Sequence, residues 1–159
     1  MIRIDPQLTA AALVPAIDRV FELSAKKIAL IQKHWDSAKG TPVFTVAGRY
    51  TSRGWTEWTQ GFQFGAAILQ FDVTQDRKML DIGVEGTLRY MASHVSHVGV
   101  HDHGFNNIST YGNLLRLARE GRLPADTWRS HFCELALKVS GAVQAARWTD
   151  LPDGLGYIH

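Results

Sequence analysis

The spacing of apolar residues constrains this chain more than any other feature. From Leu8 to Trp35, the positions Leu13, Ile17, Val20, Ser24, Ile28, Ile31 and Trp35 recur at steps of three and four, which lines them along one face of a long helix. Pro15 either kinks that helix or marks its true first turn. Polar residues from Asp36 to Gly40 end it. Helical spacing returns from Gly61 to Phe71, stops near Asp72-Val73-Thr74-Gln75-Asp76, and resumes with Leu80, Val84, Leu88, Met91, Val95 and Val98, which together read as an αα-hairpin. Ile108, Tyr111, Leu114, Leu115 and Ala118 give another helix, closed by Gly121 and kept from continuing by Pro124. Ala125 or Asp126 opens a last helix with the stripe Trp128, Phe132, Leu135, Val139, Val143 and Ala146, completing a second hairpin.

Between the first helix and the first hairpin, Thr41 to Gln60 has no helical period, and Val43-Phe44-Thr45-Val46 is its only strand-like piece. A long connection of this kind in a compact domain is often functional. Gly, Pro and Asp from Thr149 to His159 argue against further helix. The expected fold is therefore all-α and a single domain over residues 1–159. Helices of unequal length joined by unequal loops suit a partial (α/α)6 toroid, a long helix followed by αα-hairpins, better than a bundle of equal helices.

Composition excludes several classes of function. The 159 residues are 45% hydrophobic and 20% charged, as in an ordinary soluble globular protein. A formal charge of +2 arises from scattered Lys and Arg without a basic run, so nucleic acid is not expected as a partner. No stretch has the ~18 apolar residues needed to span a bilayer, so no membrane association is expected, and cytoplasm is the expected location. The single cysteine, Cys133, excludes an intramolecular disulfide.

The chemistry concentrates between His94 and Tyr111, where four histidines, Asp102, Asn106 and Asn107 lie between helical segments. His94, His97, His101 and His103 could be metal ligands, but their spacing matches no zinc pattern, and His94 with His97 could equally cap a helix C-terminus. Asp102, held between two imidazoles and followed by His103-Gly104, could be kept ionised or poised as an acid for work at a sugar. It could also cap the helix near Asn106 or close an Asx-turn, for which Asn106 and Asn107 are better candidates. Gly104 is expected in a backbone conformation that other residues resist.

A second cluster, Trp55-Thr-Glu-Trp58-Thr-Gln-Gly-Phe62-Gln-Phe64-Gly65, crowds aromatics into a loop leading into a helix. Indole faces stack on the C–H faces of sugars, so Trp55 or Trp58 could form a platform, with Glu57 and Gln60 binding hydroxyls. Glu57 could serve as an acid, though nothing in its spacing selects it. Phe62 and Phe64 are expected to plug the end of the helical core.

Trp58-Thr-Gln-Gly-Phe62, a helix ending in the turn Thr74-Gln-Asp76, and His101-Asp102-His103-Gly104-Phe105, in that order, resemble the unsaturated glucuronyl hydrolases and the related unsaturated rhamnogalacturonyl hydrolases. The likeness covers roughly Gly54 onward. It implies a six-hairpin α/α toroid and a glycoside hydrolase acting on unsaturated uronic-acid oligosaccharides by hydration of the C4=C5 double bond, without metal or cofactor. It would make Asp102 the aspartate that positions substrate and water, His101 a contact to the uronate, and Trp58 a wall of the site. Trp55, Gln60 and Asn106 complete the expected substrate-binding set. Two departures stand out: Gln63-Phe64 replaces the family's Trp-Pro, and neither Asp150 nor Asp153 matches its proton-donating aspartate, which follows a Gly-Tyr-Ile-like strip. The expectation is the N-terminal half of such an enzyme, partnered by a second copy or a second half-barrel chain. Two other classes stay open: a non-catalytic carbohydrate-binding module and a metal-binding helical protein.

Overall fold

The computed structural model describes residues 7–54, 57–124 and 126–159, with Thr127 and Trp128 placed in the backbone only. Helix α1 (Ala10–His34) is capped by Thr9, whose hydroxyl accepts from the Ala12 N–H at 3.2 Å. It runs through Pro15 without stopping, so Pro15 does not mark its first turn. The missing N–H removes one bond to Ala11, a residue open to water. Only Ile28 of the expected apolar face is buried, and Val20 is 61% exposed. No described element covers the first half of the helix.

A single turn of 3₁₀ helix (Ser37–Lys39), capped by Asp36, leads into a hairpin of β1 (Phe44–Val46) and β2 (Arg49–Thr51). Ala47 and Gly48 both have positive φ, 48° and 74°, which is the primed two-residue turn that matches strand twist. A second small antiparallel pair joins β3 (Trp148–Asp150) to β4 (Gly156–Ile158). The rest is mainly helical: α2 (Gln60–Thr74), α3 (Arg77–Tyr90), α4 (Ala92–Ser96), a π-helical segment (Gly104–Gly112) continuous with α5 (Asn113–Arg119), and α6 (Thr127–Ala145). Among the described residues no helix is long and apolar enough to cross a membrane.

The α2–α3 hairpin forms as expected, with a tighter turn. Asp72 to Thr74 stay helical, Gln75 takes the left-handed conformation at φ 59°, and Asp76 caps α3 through the Lys78 N–H at 2.9 Å. The second hairpin is also present. Gly121 at φ 68° closes α5, its N–H donating to Ala118 while that of Arg122 donates to Leu117, and Asp126 caps α6 through Arg129 N–H.

Helix α2 is the centre of the packing. Its first turn lies so close to the π segment that a Cβ at Gly61 would collide with the Phe105 carbonyl oxygen and Asn106 Cα, and one at Gly65 would lie 2.7 Å from the Ser109 carbonyl oxygen. On its other side, Gly83 and Gly86 of α3 leave room for Ile68 and the Phe64 ring. The large residues predicted to line the hidden faces therefore do not all do so. In α3 the buried set is Met79, Leu80, Gly83, Gly86 and Thr87, with Leu88 exposed; in α6 it is Cys133, Ala136 and Ser140, with Leu135 and Val139 exposed. Far from these contacts, Asp72 ties α2 to the second hairpin through Arg116 (2.6 Å) and Arg122.

Adding one methyl group separates close contact from mere helicity. Gly61→Ala should lower unfolding stability by about 2 kcal/mol or more, because backbone must move to admit the Cβ. Gly141→Ala, in α6 with nothing within 4 Å of its Cβ position, should raise it by roughly 0.5–1 kcal/mol. Urea denaturation midpoints of the two variants check both; equal shifts would contradict the close approach.

Candidate functional site

The loop from His97 to Asp102 is held by a buried polar network. His103 Nε2 lies 2.7 Å from the His97 carbonyl oxygen, so it carries the hydrogen and donates; Nδ1 can then accept from the Ser140 hydroxyl at 2.8 Å. Asn107 Nδ2 donates to the same hydroxyl oxygen and to the His94 carbonyl, both at 3.0 Å. His94 Nε2 meets Gln60 Oε1 at 2.8 Å. These bonds join α2, α4, the π segment and α6 at one end of the molecule. Burial, and secondarily the neighbouring His97 and His103, push the His94 imidazole down to about 4, so it is neutral at ordinary pH.

The four histidines consequently serve different surroundings. His94 and His103 are buried on protein partners, whereas the His101 side chain is 71% exposed. Among the described residues, no group of three or more His, Cys, Asp or Glu side chains is placed to hold a metal ion.

Two of the expected sugar-binding residues are buried on protein partners. Gln60 is buried against His94, with its carboxamide oxygen on the imidazole. Asn106 is buried too, and its Oδ1 accepts the Gly61 N–H at 2.9 Å. It thereby caps the first turn of α2 from another segment, a role that Thr59 leaves open by making no side-chain cap bond. Neither Asn106 nor Asn107 begins a helix; both lie inside the π segment. Trp55 lies outside the described residues.

Asp102 ends the loop. Its backbone carbonyl accepts the Asn106 N–H at 3.1 Å, opening the π segment, but its carboxylate caps no helix. That side chain is 17% exposed and has His101 Nε2 3.6 Å from Oδ1. Gly104, expected to need a left-handed backbone, has none: its φ is not positive, and a Cβ there would meet nothing within 4 Å.

Trp58, 44% exposed, belongs to an aromatic cluster. Its ring centroid lies 5.7 Å from that of Phe62 and 5.4 Å from that of Phe105, and Phe62 and Phe105 are 5.5 Å apart. Phe64 plugs the core as expected, stacked on Tyr90 at 5.7 Å, but Phe62 faces outward with Trp58. Phe105 was not singled out as a platform residue from sequence; its signal was its place next to the His-Asp-His-Gly stretch. Through it, the stretch that carries Asp102 meets the stretch that carries Trp58. The cavity of about 470 Å³ that Trp58 lines runs along α1 and includes neither Asp102 nor His101. Glu57, with its side chain largely covered, lies 3.8 Å from Arg53.

The depressed His94 imidazole makes a pH prediction. The folded state disfavours its protonation, so its contribution is fully present above the unfolded value near 6.5 and is lost as pH falls from there toward 4, by on the order of 3 kcal/mol. Urea midpoints measured across this window should fall for the wild type, and His94→Gln should flatten that part of the profile. No family model matches the chain, and neither a curated protein nor a solved structure matches it.

Proposed function

We propose that this chain forms part of an α/α toroid of the unsaturated glucuronyl hydrolase type, a glycoside hydrolase whose site includes the carboxylate of Asp102. The observation that carries the reading is the meeting of the two stretches behind the resemblance, Trp58-Thr-Gln-Gly-Phe62 and His101-Asp102-His103-Gly104-Phe105, through the Trp58–Phe62–Phe105 ring cluster. Three exposed aromatic rings supply apolar faces for a sugar, with a carboxylate on the chain leading into the third ring.

In this reading Asp102 binds and orients the unsaturated uronate and the water, and exposed His101 contacts the uronate carboxylate. The net reaction adds water across the enol-ether double bond, a proton to C4 and hydroxyl to C5. The hemiketal so formed opens and releases the remaining sugar. The proton comes from a second carboxylate, which we assign to the other half of the toroid. Exposed Leu88, Leu135 and Val139 on the outer sides of α3 and α6 support such covering. A cytoplasmic setting accords with the free, buried thiol of Cys133.

Calorimetric titration with an unsaturated glucuronyl disaccharide tests the site. The wild type should bind, Trp58→Ala should weaken binding about tenfold or more, and Asp102→Asn several-fold. A loss confined to Trp58→Ala would favour a binding module without a catalytic carboxylate; absence of binding by the folded wild type would overturn the saccharide reading. Turnover, followed as loss of the double bond's ultraviolet absorbance, should be weak for this chain alone.

A further inference from the structure

Two grooves run along the second half of α1 and share a wall. The first, about 470 Å³, lies between α1 and the α2–α3 hairpin and is lined by Ile28, Ile31, Phe62, Phe64, Ala66 and Ile82. The second, about 550 Å³, lies between α1 and the β1–β2 hairpin, where Trp35 and Tyr50 meet edge to face and where Lys27, Lys39 and Arg49 converge. Lys27 and Ile31 line both. None of the three cations makes an ion pair among the described residues. Asp36 is the one carboxylate lining this groove, so three cations against it leave a positive excess.

Such a pair has one chemical complement. The first groove is open to solvent on one side and mostly apolar in its lining, a surface that favours hydrocarbon over water, and its volume lies in the range that holds small ligands. The second groove repels cations and offers three flexible donors to an anion. We propose that the two grooves together bind a single-chain amphiphile, its hydrocarbon tail between α1 and α2 and its anionic head at Lys27 and Arg49. Neither groove includes Asp102 or His101, whereas Trp58 and Phe62 line the first, so the tail shares two rings with the saccharide reading, and Asp102→Asn, which weakens the saccharide and leaves the amphiphile unchanged, tells the two apart.

The test titrates the whole chain with alkyl phosphates held below their micelle concentration, with dodecanol as the uncharged tail, inorganic phosphate as the head alone, and anionic phosphatidylglycerol vesicles as a surface. Dodecyl phosphate should bind more tightly than decyl or octyl phosphate, by up to about fourfold per methylene. Lys27→Gln combined with Arg49→Gln, both on exposed side chains, should weaken dodecyl phosphate by about threefold or more while leaving dodecanol unchanged. Ala66→Phe, which places a ring in the first groove, should weaken both ligands at least tenfold. Its melting transition reports folding; should that variant fail to fold, the chain-length series on the wild type decides alone. Affinity independent of chain length, inorganic phosphate bound as tightly as dodecyl phosphate, or binding to vesicles without binding to the monomeric amphiphile would overturn the proposal.

Discussion

The rest of the structure depends on how closely α2 lies to its two neighbours. With glycine at positions 61 and 65, the backbone of the π segment rests almost directly on the first turns of α2, and with glycine at 83 and 86 the side chains of α2 fill the surface of α3. Dispersion and exclusion of water both favour such contact, but only where no Cβ intervenes. Close approach also decides the polar bonds. Asn106 reaches the Gly61 N–H because the two backbones are within one side chain of each other. The cap of α2 is thus a consequence of packing, and α2 in turn fixes where Trp58 and Phe62 stand.

The π winding fits the same constraint. Its wider turn places Asn106 and Thr110, and beside them Asn107 and Tyr111, on the inward side together. Thr110 bonds back to the Asn106 carbonyl at 2.7 Å, Tyr111 meets Phe132 at 5.9 Å between ring centroids, and Asn107 links α4 to α6. In an ordinary helix the same four positions would spread over a wider arc, about 140°. Burying two asparagines is costly unless their amides find partners. Here Asn106 Oδ1 and Asn107 Nδ2 do so on segments distant in sequence.

That distance explains what was legible in the sequence and what was not. Helix ends could be read locally: Asp126, Gly121 and the turn before α3 act within a few residues, and each took its expected part. Helix faces could not. Reading a stripe gives most weight to the largest apolar residues, whereas a narrow interhelical gap selects small ones, so Gly83, Gly86, Cys133, Ala136 and Ser140 went inside and Leu88, Leu135 and Val139 outside. The β1–β2 hairpin was half read, because its turn begins with Ala47, which gives no turn signal before Gly48. At the site, Asp102 and Trp58 were singled out by local crowding of polar and aromatic residues. The bonds that bury Gln60 and Asn106 could not be read, because their partners, His94 and Gly61, lie 34 and 45 residues away.

The position of Asp102 follows from the hydrogen bonds of its neighbour. His103, the next residue, is gripped on both ring nitrogens, one bond closing the loop onto His97 and the other fastening it to α6 through Ser140. A carboxylate attached to so constrained a residue has little backbone freedom, which is what positioning a ligand requires. The neighbouring His94 shares the same burial, and a proton there would put an uncompensated charge into the network. The exposed His101 lies outside that network, 3.6 Å from the carboxylate. The imidazoles here are thus of two kinds: buried rings that hold the loop through fixed hydrogen bonds, and an outer ring exposed beside Asp102.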